Sequence, residues 1–361
     1  MEKFVILNPW PAGFCNVLMS YEISLAIAYI TGRSVIVPPT NWCVLIDDKL
    51  SPKTMWQDIW EVCDKNAARE EFKIYDLLEF EEFSPYMNEM VPESFSYNWI
   101  SDNLSKFGFD AATLPKINDS PVCLHPLKEG TDQADFDNFL NGRQTYAINE
   151  ERFLFCTGFG HYWYNVYANG PAGRNEMKRK VNKALDYKTV YYDLASDHTS
   201  GVGAFNSIHV RSPWQLNYDD LPDTVNIKDR PDLLLQQVKL LYPNDKPLYV
   251  ATDIEDRAVF EHLVREYNLF FLDDLGFNPL TPLEKIAMDQ IICSRADLFY
   301  GSYYSTFSKR INIMRGLRGK QASDHMGFNK ICEMPEITGK WPWDNRHWSW
   351  HESSHLQWIK E

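Results

Sequence analysis

Residues 248–272 read LYVATDIEDRAVFEHLVREYNLFFL, an apolar run, a polar break and a second apolar run. Leu248–Ala251 is a short apolar run closed by polar residues, the pattern of a strand buried on both faces. Ala258–Tyr267 is predicted helical, and Leu269–Leu272 is the next strand. Strands joined through a helix pair in parallel, because the crossover returns the chain to the same edge direction. The pattern extends both ways. Upstream lie a strand at Asn206–Val210 and a helix through Leu233, Leu234, Val238 and Leu241. Downstream, Thr281-Pro282-Leu283-Glu284 is a capping box with proline at the first helical position, opening a helix to about Ala296. Leu298–Tyr300 is a further strand, and Ser305 or Thr306 caps a last helix carrying Ile311, Met314 and Leu317. This is an α/β chain with a doubly wound parallel sheet.

The amino-terminal end repeats the plan. Phe4–Leu7 reads as a buried strand and Pro9–Gly13 as a loop. From Asn16 to about Ile30, Val17, Leu18, Tyr21, Leu25 and Ala28 recur at helical spacing. Gly32 stops the helix, and Ser34–Val37 is the next strand before Pro38-Pro39. Residues 41–200 are less regular and are assigned to the same unit. The expected organisation is a Rossmann-like amino-terminal domain over 1–204, a second such domain over 205–330, and a tail over 331–361 that packs back on the first. No internal repeat or low-complexity segment is visible.

The 361 residues are 44% hydrophobic and 14% aromatic, enough for packed cores. A formal net charge of -14 argues against a nucleic-acid backbone or an anionic membrane as the main partner. Seven dispersed cysteines without a CxxC pair suit neither a zinc ribbon nor a redox motif, and favour buried thiols with one to three disulfides left open. MEKFVILNPWP is too short and interrupted for a signal segment, and no run reaches the ~18 apolar residues of a membrane span. A cytoplasmic setting is expected, a luminal one only with a preceding leader.

Several short motifs invite a function and have plainer readings. His351-Glu352-Ser353-Ser354-His355 satisfies HExxH, but too few residues follow for a third zinc ligand, and a solvent-facing turn is favoured. Gly158-Phe159-Gly160 has Trp163 where a dinucleotide fingerprint needs glycine, and no clean strand is read before it. Gly316-Leu317-Arg318-Gly319-Lys320 is too short for a phosphate loop. Asp135-Phe136-Asp137 resembles a metal-binding DxD and is read as a polar turn.

Better candidates stand where a doubly wound sheet binds ligands, at the carboxyl ends of its strands. His209 and Arg211 end the first strand of the second half, and Thr252 and Asp253 the next. Ser305-Thr306-Phe307-Ser308 lies after the last strand. Arginine offers a fork of donors for phosphate oxygens, and a helix amino terminus presents free N–H groups to an anion. Each also has a structural reading, a surface ion pair for Arg211 and a helix cap for Asp253, Ser305 or Thr306. Three polar clusters at adjacent strand ends favour a nucleotide-phosphate site. Lys309 and Arg310 are read as secondary, with side chains directed away.

Four blocks together resemble one family: PAGFCNVLMSYEISLAIAYITGRSVIVPP, SIHVR, YVATD and CSRADLFYGSYYSTFS. Their order and spacing are similar to those of the GDP-fucose protein O-fucosyltransferases and related fucosyltransferases. The resemblance implies a GT-B fold, two Rossmann-like domains facing across a cleft, with GDP-fucose bound by the second and a protein or glycan acceptor in the cleft. It implies inversion at the anomeric carbon, with no metal or other cofactor. By position, Arg211 matches the arginine that neutralises the leaving diphosphate, with His209 beside it. Asp253 matches an acidic residue for the nucleoside, and Ser305, Thr306 and Phe307 a turn on the diphosphate and nucleoside. Gly13, Phe14 and Asn16 match the loop that reaches the donor sugar and acceptor, where Asn16 would orient the acceptor hydroxyl. Val17 follows Asn16 where relatives usually carry Gln. Arg211-Ser212-Pro213-Trp214 departs from H-x-R-R-G-D and leans toward the protein-acceptor branch. The loop holds no carboxylate to act as base, and Asp219 and Asp220 read as a solvated loop. Two other readings stay open, a different nucleotide-sugar donor and a non-catalytic nucleotide-sugar scaffold.

Overall fold

The structure, a computed structural model, describes residues 2–9, 13–37, 41–46, 52–77, 116–117, 153–158, 170–211, 231–301 and 305–320. In the amino-terminal half, β1 (Phe4–Pro9), α1 (Phe14–Thr31) and β2 (Ser34–Val37) form the expected βαβ unit. They are followed by the antiparallel pair β3 (Asn41–Ile46) and β4 (Pro52–Gln57), then α2 (Lys65–Glu71) and β5 (Ile74–Asp76). Further along come β6 (Lys116–Ile117), β7 (Phe153–Gly158), α3 (Gly170–Ala184) and α4 (Thr189–Thr199). Among the described residues, five of these strands make a parallel sheet in the order β5-β2-β1-β7-β6.

Phe4, Val5, Ile6 and Leu7 are all buried, so β1 is covered on both faces as a central parallel strand must be. Each fully buried side chain of this kind contributes about 1.5–3 kcal/mol. At the end of α1, Gly32 turns left-handed with φ 63°, and the Arg33 N–H donates to the Ala28 carbonyl at 2.9 Å. A side chain at that φ would be strained, which is why glycine stands there.

The second sheet is built from β8 (Asn206–Val210), β9 (Leu248–Thr252), β10 (Leu269–Phe270) and β11 (Phe299–Tyr300), all parallel, in the order β10-β9-β8-β11. Its helices are α5 (Pro231–Leu241), the short α6 (Glu261–Val264), α7 (Pro282–Arg295) and α8 (Thr306–Leu317). Ile208, Val210, Leu234, Val238 and Val250 form the core on the α5 face. On the other face Tyr249 and Ala251 join a single buried cluster that includes α7, α8, α1, α3 and β1. Both sheets therefore rest on one shared layer of helices. The α/β class with two parallel sheets is as the sequence implied.

Three local expectations differ. The helix over Ala258–Tyr267 is a 3-10 turn, Arg257–Phe260, followed by α6, because Asp256 caps the turn through Ala258 N. The strand predicted to reach Leu272 ends at Phe270, since the Phe271 N–H turns away to donate to Asp274. A strand does lead into Gly158. The apolar run Phe153–Gly158 is β7, paired with β1 along its whole length, and the aromatic residues after it had obscured that pattern. Phe159, Gly160, Asp135–Asp137, Asp219, Asp220, Ser212–Trp214 and the tail with His351–His355 lie outside the described residues.

Candidate active site

In the second sheet the chain moves outward from β8 to β9 and β10, then returns to place β11 on the other side of β8. The carboxyl ends of β8 and β11 therefore flank the topological switch point, where an open α/β sheet leaves a crevice. Strand alternation decides which side chains of β8 face it. Ile208 and Val210 point into the α5-side core. Ser207 and His209 point the other way, with the Ser207 hydroxyl donating to the Cys293 carbonyl on α7 at 3.3 Å and His209 meeting α8. Arg211 continues that alternation at the strand's end, half-buried. The register pairs Val210 with Thr252, so exposed Asp253 sits at the neighbouring strand end.

The turn from β11 into α8 is set by one glycine. A Cβ at Gly301 would lie 2.3 Å from Ser308 Oγ and 2.4 Å from Ser308 Cβ, so only glycine lets the start of α8 dock on the strand end. His209 then closes the contact. Its Nδ1 is 2.7 Å from Ser308 Oγ, and its ring stacks on Phe307 with centroids 4.5 Å apart. Burial, helped by the Arg211 charge, pushes the His209 pKa down to about 3, so the ring is neutral at physiological pH.

Ser305 stands at the amino-terminal cap position of α8, yet its side chain makes no capping hydrogen bond. The residue is 3% exposed and its hydroxyl oxygen is buried without a protein partner. The expectation that this hydroxyl caps the helix is corrected: the backbone takes the cap geometry and leaves the Oγ unused. The free N–H groups of the first turn remain available to an anion.

Across from this turn lies the start of α1. The Gly13 carbonyl accepts from Asn16 N at 2.8 Å and from Val17 N at 3.2 Å, and Phe14 is buried in the core as an anchor. The Asn16 Oδ1 is also buried without a protein partner. Cys15 ties this turn to the other half, because the buried Gln290 on α7 donates to both Cys15 Sγ, at 3.0 Å, and Phe307 O, at 3.4 Å. Burial raises the Cys15 thiol to about 12, the Gln290 hydrogen bond and the charges of Arg310 and Arg211 opposing it. Cys15, Cys63 and Cys293 are buried free thiols.

Lys309 and Arg310 do not point into solvent; each is about 5% exposed. Arg310 pairs with Glu22 on α1 at 3.4 Å and donates to Leu185 O at 2.6 Å and Asn182 Oδ1 at 3.4 Å. Burial pulls the Lys309 ammonium down to about 7, with Glu22 opposing it. Arg310 thereby ties α8 to Glu22 on α1 and to Asn182 on α3. From sequence both cations were read as secondary without this bracing role, and Gln290 and the packing role of Gly301 were missed. The available signal for Gln290 was a lone amide among Ala287, Met288, Ile291 and Ile292, all fully buried.

The structure thus gathers Gly13, Phe14 and Asn16 with Ser305, Thr306 and Phe307, and sets His209 and Arg211 beside them. Among the described residues no group of three His, Cys, Asp or Glu side chains is placed to hold a metal ion. No helix among them is long and apolar enough to cross a membrane.

A family model for GDP-fucose protein O-fucosyltransferases matches residues 4–318. The chain belongs to that family. It is a GDP-fucose-dependent glycosyltransferase of the fucosyltransferase class. No curated protein matches the sequence. Solved structures are similar at low identity. POFUT1 in complex with GDP-fucose shares 13% identity at TM-score 0.48, over 90% of this chain and 96% of that one. The fucosyltransferase NodZ from Bradyrhizobium shares 12% identity at TM-score 0.47, over 87% and 94%. These likenesses are too distant to carry residue roles, which rest on the geometry above.

Proposed function

We propose that the protein transfers L-fucose from GDP-fucose to a hydroxyl of a protein or glycan acceptor, with inversion at the anomeric carbon and without a metal. The observation that carries this reading is the meeting, at one switch point, of Arg211, the open amino terminus of α8 and a buried Ser305 hydroxyl without a protein partner.

In the reaction the bond between fucose C1 and the β-phosphate oxygen breaks, and its electron pair stays on GDP. The acceptor oxygen bonds to C1 from the opposite face. Negative charge grows on the diphosphate while C1 becomes oxocarbenium-like, so the protein's main task is a fixed positive field at the leaving group. Arg211 supplies the cation. The Ser305–Phe307 turn supplies N–H groups and a hydroxyl. The neutral His209 holds Phe307 and Ser308 and adds no competing charge. On the acceptor side Asn16 orients the incoming hydroxyl through its buried Oδ1, and the departing diphosphate takes the proton. Asp253, at the next strand end, accepts from the nucleoside in this reading.

A thermal-shift panel tests this reading, because a ligand that binds only the folded state raises Tm. GDP and GDP-fucose are expected to raise Tm clearly above GDP-mannose and UDP-sugars. Equal shifts across the panel would contradict the donor assignment. Binding of GDP-fucose without fucose transfer to any acceptor would contradict the enzymatic one.

A further inference from the structure

We propose that Gln290 is a positioning residue whose side-chain amide holds the first turn of α1 against the first turn of α8 and so sets the spacing between the acceptor-side and donor-side halves of the site. The proposal rests on reading Gly13–Asn16 and Ser305–Phe307 as one site.

Gln290 is fully buried on α7, a helix that shares one buried cluster with α1 and α8. Its amide has two N–H donors and one carbonyl acceptor, and each has a partner on a different segment. One N–H goes to Cys15 Sγ on α1 and the other to Phe307 O on α8. The Oε1 accepts from the Tyr187 hydroxyl at 2.5 Å. Tyr187 fixes the amide's orientation, since a flipped amide would set Oε1 against the Phe307 carbonyl. Neither partner titrates near neutrality: burial raises the Tyr187 hydroxyl well above its ordinary value and the Cys15 thiol to about 12. The brace therefore keeps one hydrogen-bond pattern across the working pH range.

Other polar residues act within one half or farther from the two first turns. The α8 turn is held by His209 and Ser308, and α1 is held to α8 lower down by Glu22 and Arg310. Gln290 bonds to both first turns at once. Removing its donors leaves the diphosphate cradle intact and releases the register between cradle and acceptor loop. In transfer chemistry a misplacement of about 1 Å is enough to cost ~10²-fold in rate.

The test compares Gln290→Met, Gln290→Glu, Cys15→Val and Cys15→Ser with the wild type. Methionine conserves volume and cannot donate, and serine keeps an acceptor at position 15. Gln290→Met is expected to lower kcat for fucose transfer at least tenfold while the Kd for GDP stays within about threefold. Cys15→Val should match that loss, Cys15→Ser should stay within about threefold of wild type, and the Cys15→Val/Gln290→Met double variant should lose no more than either single change. Hydrogen exchange on the ligand-free protein should rise at the amides of Asn16 and Val17 in Gln290→Met and stay unchanged at Lys309. An unchanged kcat with a lowered Tm would make Gln290 merely structural and overturn the proposal. Parallel losses of kcat and GDP affinity would overturn it too, as would additive losses in the double variant. Should Gln290→Met fail to fold, Gln290→Glu and Cys15→Val give the same comparison. A wild type that fails to bind GDP-fucose contradicts the site reading instead, and the exchange pattern alone then decides the brace.

Discussion

His209 Nδ1 lies 2.7 Å from the Ser308 hydroxyl, and that contact joins the end of β8 to the first turn of α8. It is the bond that makes a strand end and a helix amino terminus into one surface. Gly301 permits it by leaving no Cβ in the space Ser308 occupies. Overpacking a close contact of this kind costs about 1–3 kcal/mol. Gly301→Ala is expected to lower stability by that amount and to weaken GDP binding, measured by denaturant unfolding and calorimetry. The Gly301→Ala/Ser308→Gly double variant should recover stability and leave binding weak. Full stability in the single variant would refute the close approach.

The neutral state of His209 has a pH signature. Its folded pKa, about 3, is below the ordinary 6.5, so the unfolded chain binds the extra proton first as pH falls. The stabilisation is complete above pH 6.5 and is lost as pH drops toward 3. By linkage the loss from this one group is about 2 kcal/mol at pH 5. His209→Gln should therefore show a smaller drop in unfolding free energy between pH 7.5 and pH 5 than the wild type. Equal drops would mean that the ring is charged or solvated in the fold.

Ser305 separates a cap from a ligand contact. A capping serine replaced by alanine costs about 1 kcal/mol of stability. Its Oγ has no protein partner here, so Ser305→Ala should leave the ligand-free protein as stable as the wild type or more so. Affinity for GDP-fucose should instead fall by roughly tenfold or more, the loss of a hydrogen bond to a charged group. A destabilised variant with normal affinity would restore the cap role.

Glu22 and Arg310 form a buried ion pair between α1 and α8. Removing one partner of such a pair costs about 3–5 kcal/mol, because the other charge stays buried. Glu22→Ala should lose stability on that scale in chemical denaturation, and Glu22→Met/Arg310→Met should lose less. A loss below about 0.5 kcal/mol in Glu22→Ala would show that the pair is open to solvent.

Much of this was legible from sequence because it is local. β8 was read residue for residue, as was the Thr281–Glu284 capping box with Pro282, and Gly32 was read as a stop. The strand-end rule then put His209, Arg211, Asp253 and Ser305–Phe307 in one region without coordinates. What escaped depends on pairing across long separations. β7 looked like part of an aromatic loop until β1 paired with it. Lys309 and Arg310 were read only as secondary cations directed away from the site, because burial beside Glu22, far away in sequence, leaves no local trace. The Ser305 side chain satisfied the local rule for a cap, and tertiary docking of α8 took it out of that role.

In the proposed reaction Arg211, at the β8–β11 switch point, carries the growing charge of the leaving diphosphate. Steady-state release of GDP from GDP-fucose in the presence of acceptor, compared between wild type and Arg211→Ala, tests it most directly. Loss of a single fixed donor at such a centre costs about 10²–10³ in rate. A kcat at least a hundredfold lower is expected, in a variant whose Tm stays close to that of the wild type. Turnover within threefold of wild type would contradict it.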